Sequence, residues 1–211
     1  MTPLPEEIAL DVVLIPPGPV IDEAIRINRA LLAMHPQDDA IALGATACIP
    51  HMTVAMAAVK SRDLSAITDA IGKIAEKCSP MTLSITGISA VTVAGGRKVS
   101  GFDITRIDAL QLLHKTVMHT VEPYDLQEIK TEMFAGDEKG RVEDTAIDCL
   151  RRFSKRSSFS NYSPHITLGY GRIPDLVPGT PFPIRFLAQK IAICHLGKHC
   201  TCRSILASFD L

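Results

Sequence analysis

The stretch Pro50-His51-Met52-Thr53-Val54 recurs as Pro164-His165-Ile166-Thr167-Leu168, with the histidines 114 positions apart, from 51 to 165. This repeated Pro-His-apolar-Thr-apolar pattern constrains the chain more than any other feature. In a β-strand successive side chains point to opposite faces, so His51 and Thr53 share one face while Met52 and Val54 take the other. The same parity places His165 beside Thr167. Two such strands side by side bring two imidazoles and two hydroxyls into one cleft and send their alternate residues into the core. A single His-x-Thr is a common accident of strand sequence. Two copies, each behind a proline and each in strand-like surroundings, point to a site assembled from two halves.

The remaining periodicities supply the frame. Ala9 to Ile15 is rich in β-branched residues and stops at Pro16-Pro17-Gly18, which predicts an opening strand buried on both faces except at Asp11. Ile21, Ala24, Ile25, Leu31 and Leu32 predict a helix ending near His35-Pro36. The first motif strand runs to about Val59. Ser61 and Asp63 offer N-caps to a helix carrying Leu64, Ile67, Ile71 and Ile74, closed by Ser79-Pro80. Met81, Leu83 and Ile85 alternate with polar residues as a half-buried strand, and Gly95-Gly96 predicts a hairpin turn into Val99 to Ile104. Ile107, Leu110, Leu113, Val117 and Val121 form a third helical stripe, with His114 and His119 read as lying off it. A loop at 136–140 and a short helix from about Glu143 to Phe153 precede the second motif. A proline-rich connection (Pro174, Pro178, Pro181, Pro183) then leads to two terminal strands joined near Gly197-Lys198.

Composition narrows the function classes. The chain of 211 residues is 46% apolar and 21% charged with a net charge of −1, a soluble globular profile large enough for a substantial core. Near-neutrality argues against a partner such as long duplex nucleic acid, where a basic face supplies most of the affinity, but allows a small phosphorylated ligand. Met1 to Glu7 lacks the basic-then-apolar character of a signal peptide, and no apolar run reaches membrane-spanning length, so a cytoplasmic protein with no membrane association is expected. The six cysteines (Cys48, Cys78, Cys149, Cys194, Cys200, Cys202) are too sparse for a disulfide scaffold and read mainly as reduced thiols.

On His51-Met52-Thr53-Val54 and His165-Ile166-Thr167-Leu168 the chain resembles the two-histidine (2H) phosphoesterases, a family that includes bacterial 2',5'-RNA ligase-like proteins and 2',3'-cyclic phosphodiesterases. The resemblance implies an α+β fold of two pseudo-symmetric lobes, each an antiparallel sheet with flanking helices, with one motif per lobe facing a central cleft. It implies a single domain over 1–211, the two lobes interleaved in sequence. One departure stands out. Close relatives of the ligase often carry Phe-Leu-Gly after the first motif, where this chain has Ala55-Met56-Ala57-Ala58, and that counts against ligase activity.

The chemistry follows from the side chains themselves. Opening a cyclic phosphate needs a base for water or a hydroxyl and an acid for the departing ribose oxygen, and histidine serves as either near neutral pH. His51 and His165 are therefore the candidate acid and base, with their roles exchangeable at this level. Thr53 and Thr167 are candidate hydroxyl donors to the non-bridging oxygens. The expected substrate is a nucleotide or RNA end bearing a 2',3'-cyclic phosphate or 2',5'-phosphodiester, the expected partner that ligand alone, and the expected state a monomer. No cofactor or metal is called for. The alternative is a non-catalytic nucleotide-binding module, AMP-like in its ligand, using the same cleft.

Other clusters carry weaker signals. Tyr162 and Tyr170 flank the second motif and are candidates for stacking on a base, while Arg152, within Arg151, Arg152, Lys155 and Arg156, is a candidate for meeting phosphate. A solvated helix end is the favoured reading of that basic run. Cys194-His195 and His199-Cys200-x-Cys202 contain zinc-ligand types, and a metal-dependent hydrolase is a third reading. The spacing lacks a Cys-x-x-Cys pair, however, so Cys200 and Cys202 read more simply as small apolar residues alternating along a buried strand. Arg97 and Lys98 read as exposed turn residues.

Overall fold

The computed structural model describes residues 4–34, 41–93, 96–136, 144–173 and 181–211. Parts of the sequence reading that rest on residues 35, 36, 95, 137–140, 143, 174 and 178 lie outside that set. Eight strands and four α-helices are described: β1 (Glu7–Ile15), α1 (Gly18–Met34), β2 (Met52–Lys60), α2 (Leu64–Ala75), β3 (Met81–Thr92), β4 (Lys98–Ile104), α3 (Asp108–Val121), α4 (Asp144–Arg156), β5 (His165–Tyr170), β6 (Ile184–Ala188), β7 (Lys190–Leu196) and β8 (Cys202–Asp210).

The strands form two four-stranded antiparallel sheets, ordered β2-β1-β7-β8 and β5-β4-β3-β6. The expected α+β architecture of two sheets with flanking helices is what the chain adopts. The motif strands do not pair with each other, contrary to the side-by-side arrangement expected. Each is instead an edge strand of its own sheet, β2 hydrogen-bonded to β1 and β5 to β4, and the two edges approach across the sheets.

The helices tie the sheets together by crossing over. α1 follows β1 in the chain yet rests on β5, and α3 follows β4 yet rests on β2. Apolar side chains from both sheets and all four helices join one buried cluster, including Leu10 and Leu14 of β1, Ile67 and Ile71 of α2, Leu110 and Val117 of α3, and Leu150 of α4. Each such Leu or Ile contributes roughly 1.5–3 kcal/mol when fully buried. Among the described residues no helix is long and apolar enough to cross a membrane.

Three local expectations are corrected. The segment before α2 is a 3₁₀ turn, Ser61–Asp63, without a side-chain cap, because the Ser61 hydroxyl donates to the Pro5 carbonyl instead. The chain after the second motif has three strands, not two, since Ile184–Ala188 leaves the proline-rich connection to pair with β3. Cys194 and Cys202 form a disulfide across β7 and β8, with Cα atoms 5.5 Å apart, so the thiols are not all reduced. Bulges at Ile193/Cys194 and His195/Leu196 shift the ladder register there, which the spacing of cysteines along the sequence does not reveal.

Candidate active site

Each motif enters its strand through the proline that precedes the histidine. A proline biases the residue before it to extended backbone and donates no hydrogen bond of its own. In both copies the carbonyl two residues before the histidine accepts from the imidazole: His51 Nδ1 lies 2.7 Å from Ile49 O, and His165 Nδ1 2.9 Å from Ser163 O. A carbonyl can only accept, so Nδ1 carries the hydrogen and Nε2 is the nitrogen left for chemistry in each ring. Met52, Val54, Ile166 and Leu168 are fully buried, as the strand parity predicts.

The lobes also brace each other's motif strand by matched devices. Asn28 of α1 is buried and donates to Leu168 O at 2.8 Å and to Ile41 O at 2.7 Å, while accepting from Leu43 N at 2.9 Å. His114 of α3 is buried and donates from Nδ1 to Val54 O at 2.6 Å, while its Nε2 accepts from Phe159 N at 2.7 Å. Leu168 and Val54 occupy the same final position of their motifs, so each crossing helix spends one polar side chain on the same carbonyl of the opposite copy. His114 thus lies on the buried stripe of α3 (Leu110, His114, Val117, Val121), not off it. Burial holds its imidazole below the usual histidine value.

Asp11, in the middle of β1, is the principal site residue that motif reading did not name. It is 0% exposed; its Oδ2 accepts from Thr53 Oγ1 at 2.9 Å and lies 3.4 Å from His51 Nε2, and its Oδ1 has no partner among the described residues. Burial raises its carboxyl above the ordinary value, partly offset by His51, by Thr53 and by the more distant charge of His165. Burial likewise pulls His51 down, but the contact with Asp11 outweighs it and leaves the imidazole above its ordinary value. Of the two motif histidines, His51 is the one within ion-pair distance of this carboxyl among the described residues. His51 and Thr167 line the same narrow pocket between the sheets, with Ile49, Pro50, His199 and Cys200. A larger depression of about 280 Å³ lies beside Ser89, Lys98, Ser100 and Arg172, bordered by none of the four motif side chains.

The subsidiary candidates fall elsewhere. Tyr162 is buried and stacked on His114 with centroids 3.9 Å apart, its hydroxyl donating to Thr53 O at 2.9 Å. It is a brace behind the motif, not an open platform for a base. Tyr170 is buried as well, with the Arg97 guanidinium 3.9 Å over its ring and its hydroxyl 3.1 Å from His199 Nδ1. Arg97 is accordingly packed and not a free turn residue. Arg152 is on the solvated face of α4, its Nε 2.9 Å from Asp148, which agrees with the favoured helix-end reading. Around the terminal cluster, Cys200 sits in a 3₁₀ turn and not in a strand, and His195 is buried against Met133 O. Among the described residues no three His, Cys, Asp or Glu side chains gather as a metal-binding group.

No protein-family model and no curated protein sequence matches the chain. Solved structures do. E. coli LigT in apo form superposes with a TM-score of 0.58 at 16% identity over 98% of this chain and 99% of that one. TT0787 of Thermus thermophilus gives 0.59 at 14% identity over 97% and 98%. A phosphoesterase gives 0.52 at 13% identity over 98% and 99%. LigT is also known in complex with ATP, NADP+, 3'-AMP and phosphate. Over nearly its whole length the chain therefore has the two-sheet fold of LigT and its structural neighbours.

Proposed function

We propose that this protein is a phosphoesterase that acts by two-histidine acid/base catalysis on a 2',3'-cyclic phosphate or 2',5'-phosphodiester of a nucleotide or RNA end. The observation that carries the reading is the matched pair of motifs: two edge strands from different sheets, each with an imidazole anchored at Nδ1 by a carbonyl two residues back, with His51 of one copy and Thr167 of the other lining the same narrow pocket. LigT's complexes with phosphate and 3'-AMP support a phosphorylated nucleoside as the ligand class.

In hydrolysis, one histidine takes a proton from water at Nε2 as the water oxygen bonds to phosphorus. The other gives its Nε2 proton to the ribose oxygen as the P–O bond breaks. The Thr167 hydroxyl donates to a non-bridging oxygen as charge builds there, while the Thr53 hydroxyl donates to Asp11 Oδ2 instead. The two imidazoles account for both proton transfers, so turnover is expected to persist in chelator. The protein is proposed to work as a single domain in the cytoplasm.

The test is turnover of 2',3'-cyclic nucleotides and 2',5'-linked dinucleotides, in chelator, by wild type and by His51→Ala and His165→Ala. Each substitution should cost on the order of 10²- to 10⁴-fold. Equal rates in wild type and variants would refute the assignment. Tight nucleotide binding by calorimetry without any turnover would favour the non-catalytic binding module.

A further inference from the structure

We propose that Asp11 is a positioning residue that makes the two halves of the site unequal, holding a proton on His51 so that His51 is the acid and His165 the base. This rests on the phosphoesterase reading above and sharpens it. The two motifs match in sequence and in their Nδ1 anchors, so any difference between the histidines must come from what faces Nε2.

At His51 that group is a carboxylate. Nδ1 donates to Ile49 O, and Nε2 looks at Asp11 Oδ2 from 3.4 Å, so both ring nitrogens face acceptors. With Asp11 ionised, such a setting suits the doubly protonated ring. The distance is an ion-pair distance, longer than an ordinary hydrogen bond, so the Nε2–H is held by charge without a short hydrogen bond that its transfer would have to break. At His165 the setting differs. Among the described residues no carboxylate lies within ion-pair distance of it, and Asp103, its neighbour across the ladder, accepts from Ser89 Oγ at 2.7 Å. With Nδ1 donating to Ser163 O, the His165 Nε2 lone pair is open to take a proton from water.

Asp11 has no packing reason to be charged. Its neighbours Leu10, Val12, Val13 and Leu14 are fully buried apolar residues, and its own Oδ1 is left unpartnered among the described residues. A buried carboxylate is costly unless a cation is beside it, and His51 is the group that supplies one. The threonines follow the same division. Thr53 commits its hydroxyl to Asp11, whereas Thr167 lines the pocket.

The proton balance closes. Water loses a proton to His165 as its oxygen bonds to phosphorus, the P–O bond to the ribose oxygen breaks, and that oxygen takes the proton of His51. A neutral His51 then stands beside an uncompensated buried anion, an arrangement that draws a proton back from solvent and resets the acid. Among the described residues, Cys149 of α4, Cys200, Tyr162 and His165 also lie within electrostatic reach of Asp11, and His199 shares the pocket with His51.

The experiment pairs ring NMR titration of the histidines with pH–rate profiles on adenosine 2',3'-cyclic phosphate, for wild type and Asp11→Asn. Asparagine keeps the size of the side chain and an acceptor for Thr53. In wild type His51 should titrate above the ordinary histidine value. In the variant His51 should move to lower pH, and the alkaline limb of kcat/KM should move with it, costing at least ~10-fold at pH 8 while the acid limb stays. His51 titrating at or below the ordinary histidine value in the wild-type protein, a measurement that needs no variant, would overturn the proposal. So would an alkaline limb indifferent to Asp11→Asn. If wild type turned over neither cyclic nucleotides nor 2',5'-linked dinucleotides while His51 titrated as expected, the phosphoesterase reading would fall and the Asp11–His51 pairing would stand.

Discussion

Replacing Asn28 tests whether the crossing helix holds the second motif in place. Its amide makes three hydrogen bonds from a position 1% exposed: two donated, to Leu168 O and Ile41 O, and one accepted from Leu43 N. Asn28→Ala leaves two carbonyls and one N–H without their partner, at about 1–3 kcal/mol per orphaned buried group. Leu43 is only partly buried and water can reach it, so the expected loss is about 3–5 kcal/mol, a large share of a typical domain's 5–15 kcal/mol. A second substitution separates lost donors from lost volume. Asn28→Asp preserves shape but turns a carboxylate oxygen toward two carbonyls, so it should destabilise at least as much as alanine. Urea unfolding followed by circular dichroism, at constant m-value, measures both. If aspartate proved distinctly milder than alanine, or if alanine cost under about 1 kcal/mol, the amide would not be the clasp between helix and motif strand.

Three further outcomes are expected. His114 holds a fixed tautomer, Nδ1–H on Val54 O and Nε2 accepting from Phe159 N, so protonating Nε2 would set two N–H groups against each other. Its lowered native value means the unfolded chain binds this proton first as pH falls below ~6.5, so stability is lost with acidification there; His114→Gln should flatten that part of a stability–pH curve, and an unchanged slope would refute the assignment. Reducing the Cys194–Cys202 bridge, which spans a sequence separation of 8, should lower stability by about 2–3 kcal/mol, and thermal melts with and without reductant should match in Cys194→Ser if that bridge is the cause. Tyr162→Phe removes the donor to Thr53 O and should cost roughly 0.5–1.5 kcal/mol in urea unfolding while leaving His114 buried; a neutral result would mean water replaces the hydroxyl.

The sequence by itself determined much of this molecule. Strand parity at 51–54 and 165–168 placed Met52, Val54, Ile166 and Leu168 in the core, and alternation at Met81, Leu83 and Ile85 located β3, because side-chain direction in a strand depends only on position. What unites the residues it left unassigned is a single polar side chain inside an apolar pattern: Asp11 among the buried residues of β1, Asn28 on the buried face of α1, His114 on that of α3. The interruption was legible at Asp11, but the expectation that it would be the unburied residue of β1 was wrong, and its partner was not visible. Whether a buried polar group faces a carbonyl of the opposite sheet, an imidazole or nothing depends on contacts between residues far apart in sequence, such as Asn28 with Leu168 or Asp11 with Thr53. The same reason hid the edge placement of the motif strands, the pairing of β6 with β3 and the Cys194–Cys202 bridge, since ladder register and strand order are set by what packs against each strand. Only the tertiary structure, by burying one carboxylate beside one of two matched motifs, decides that the halves of the site differ.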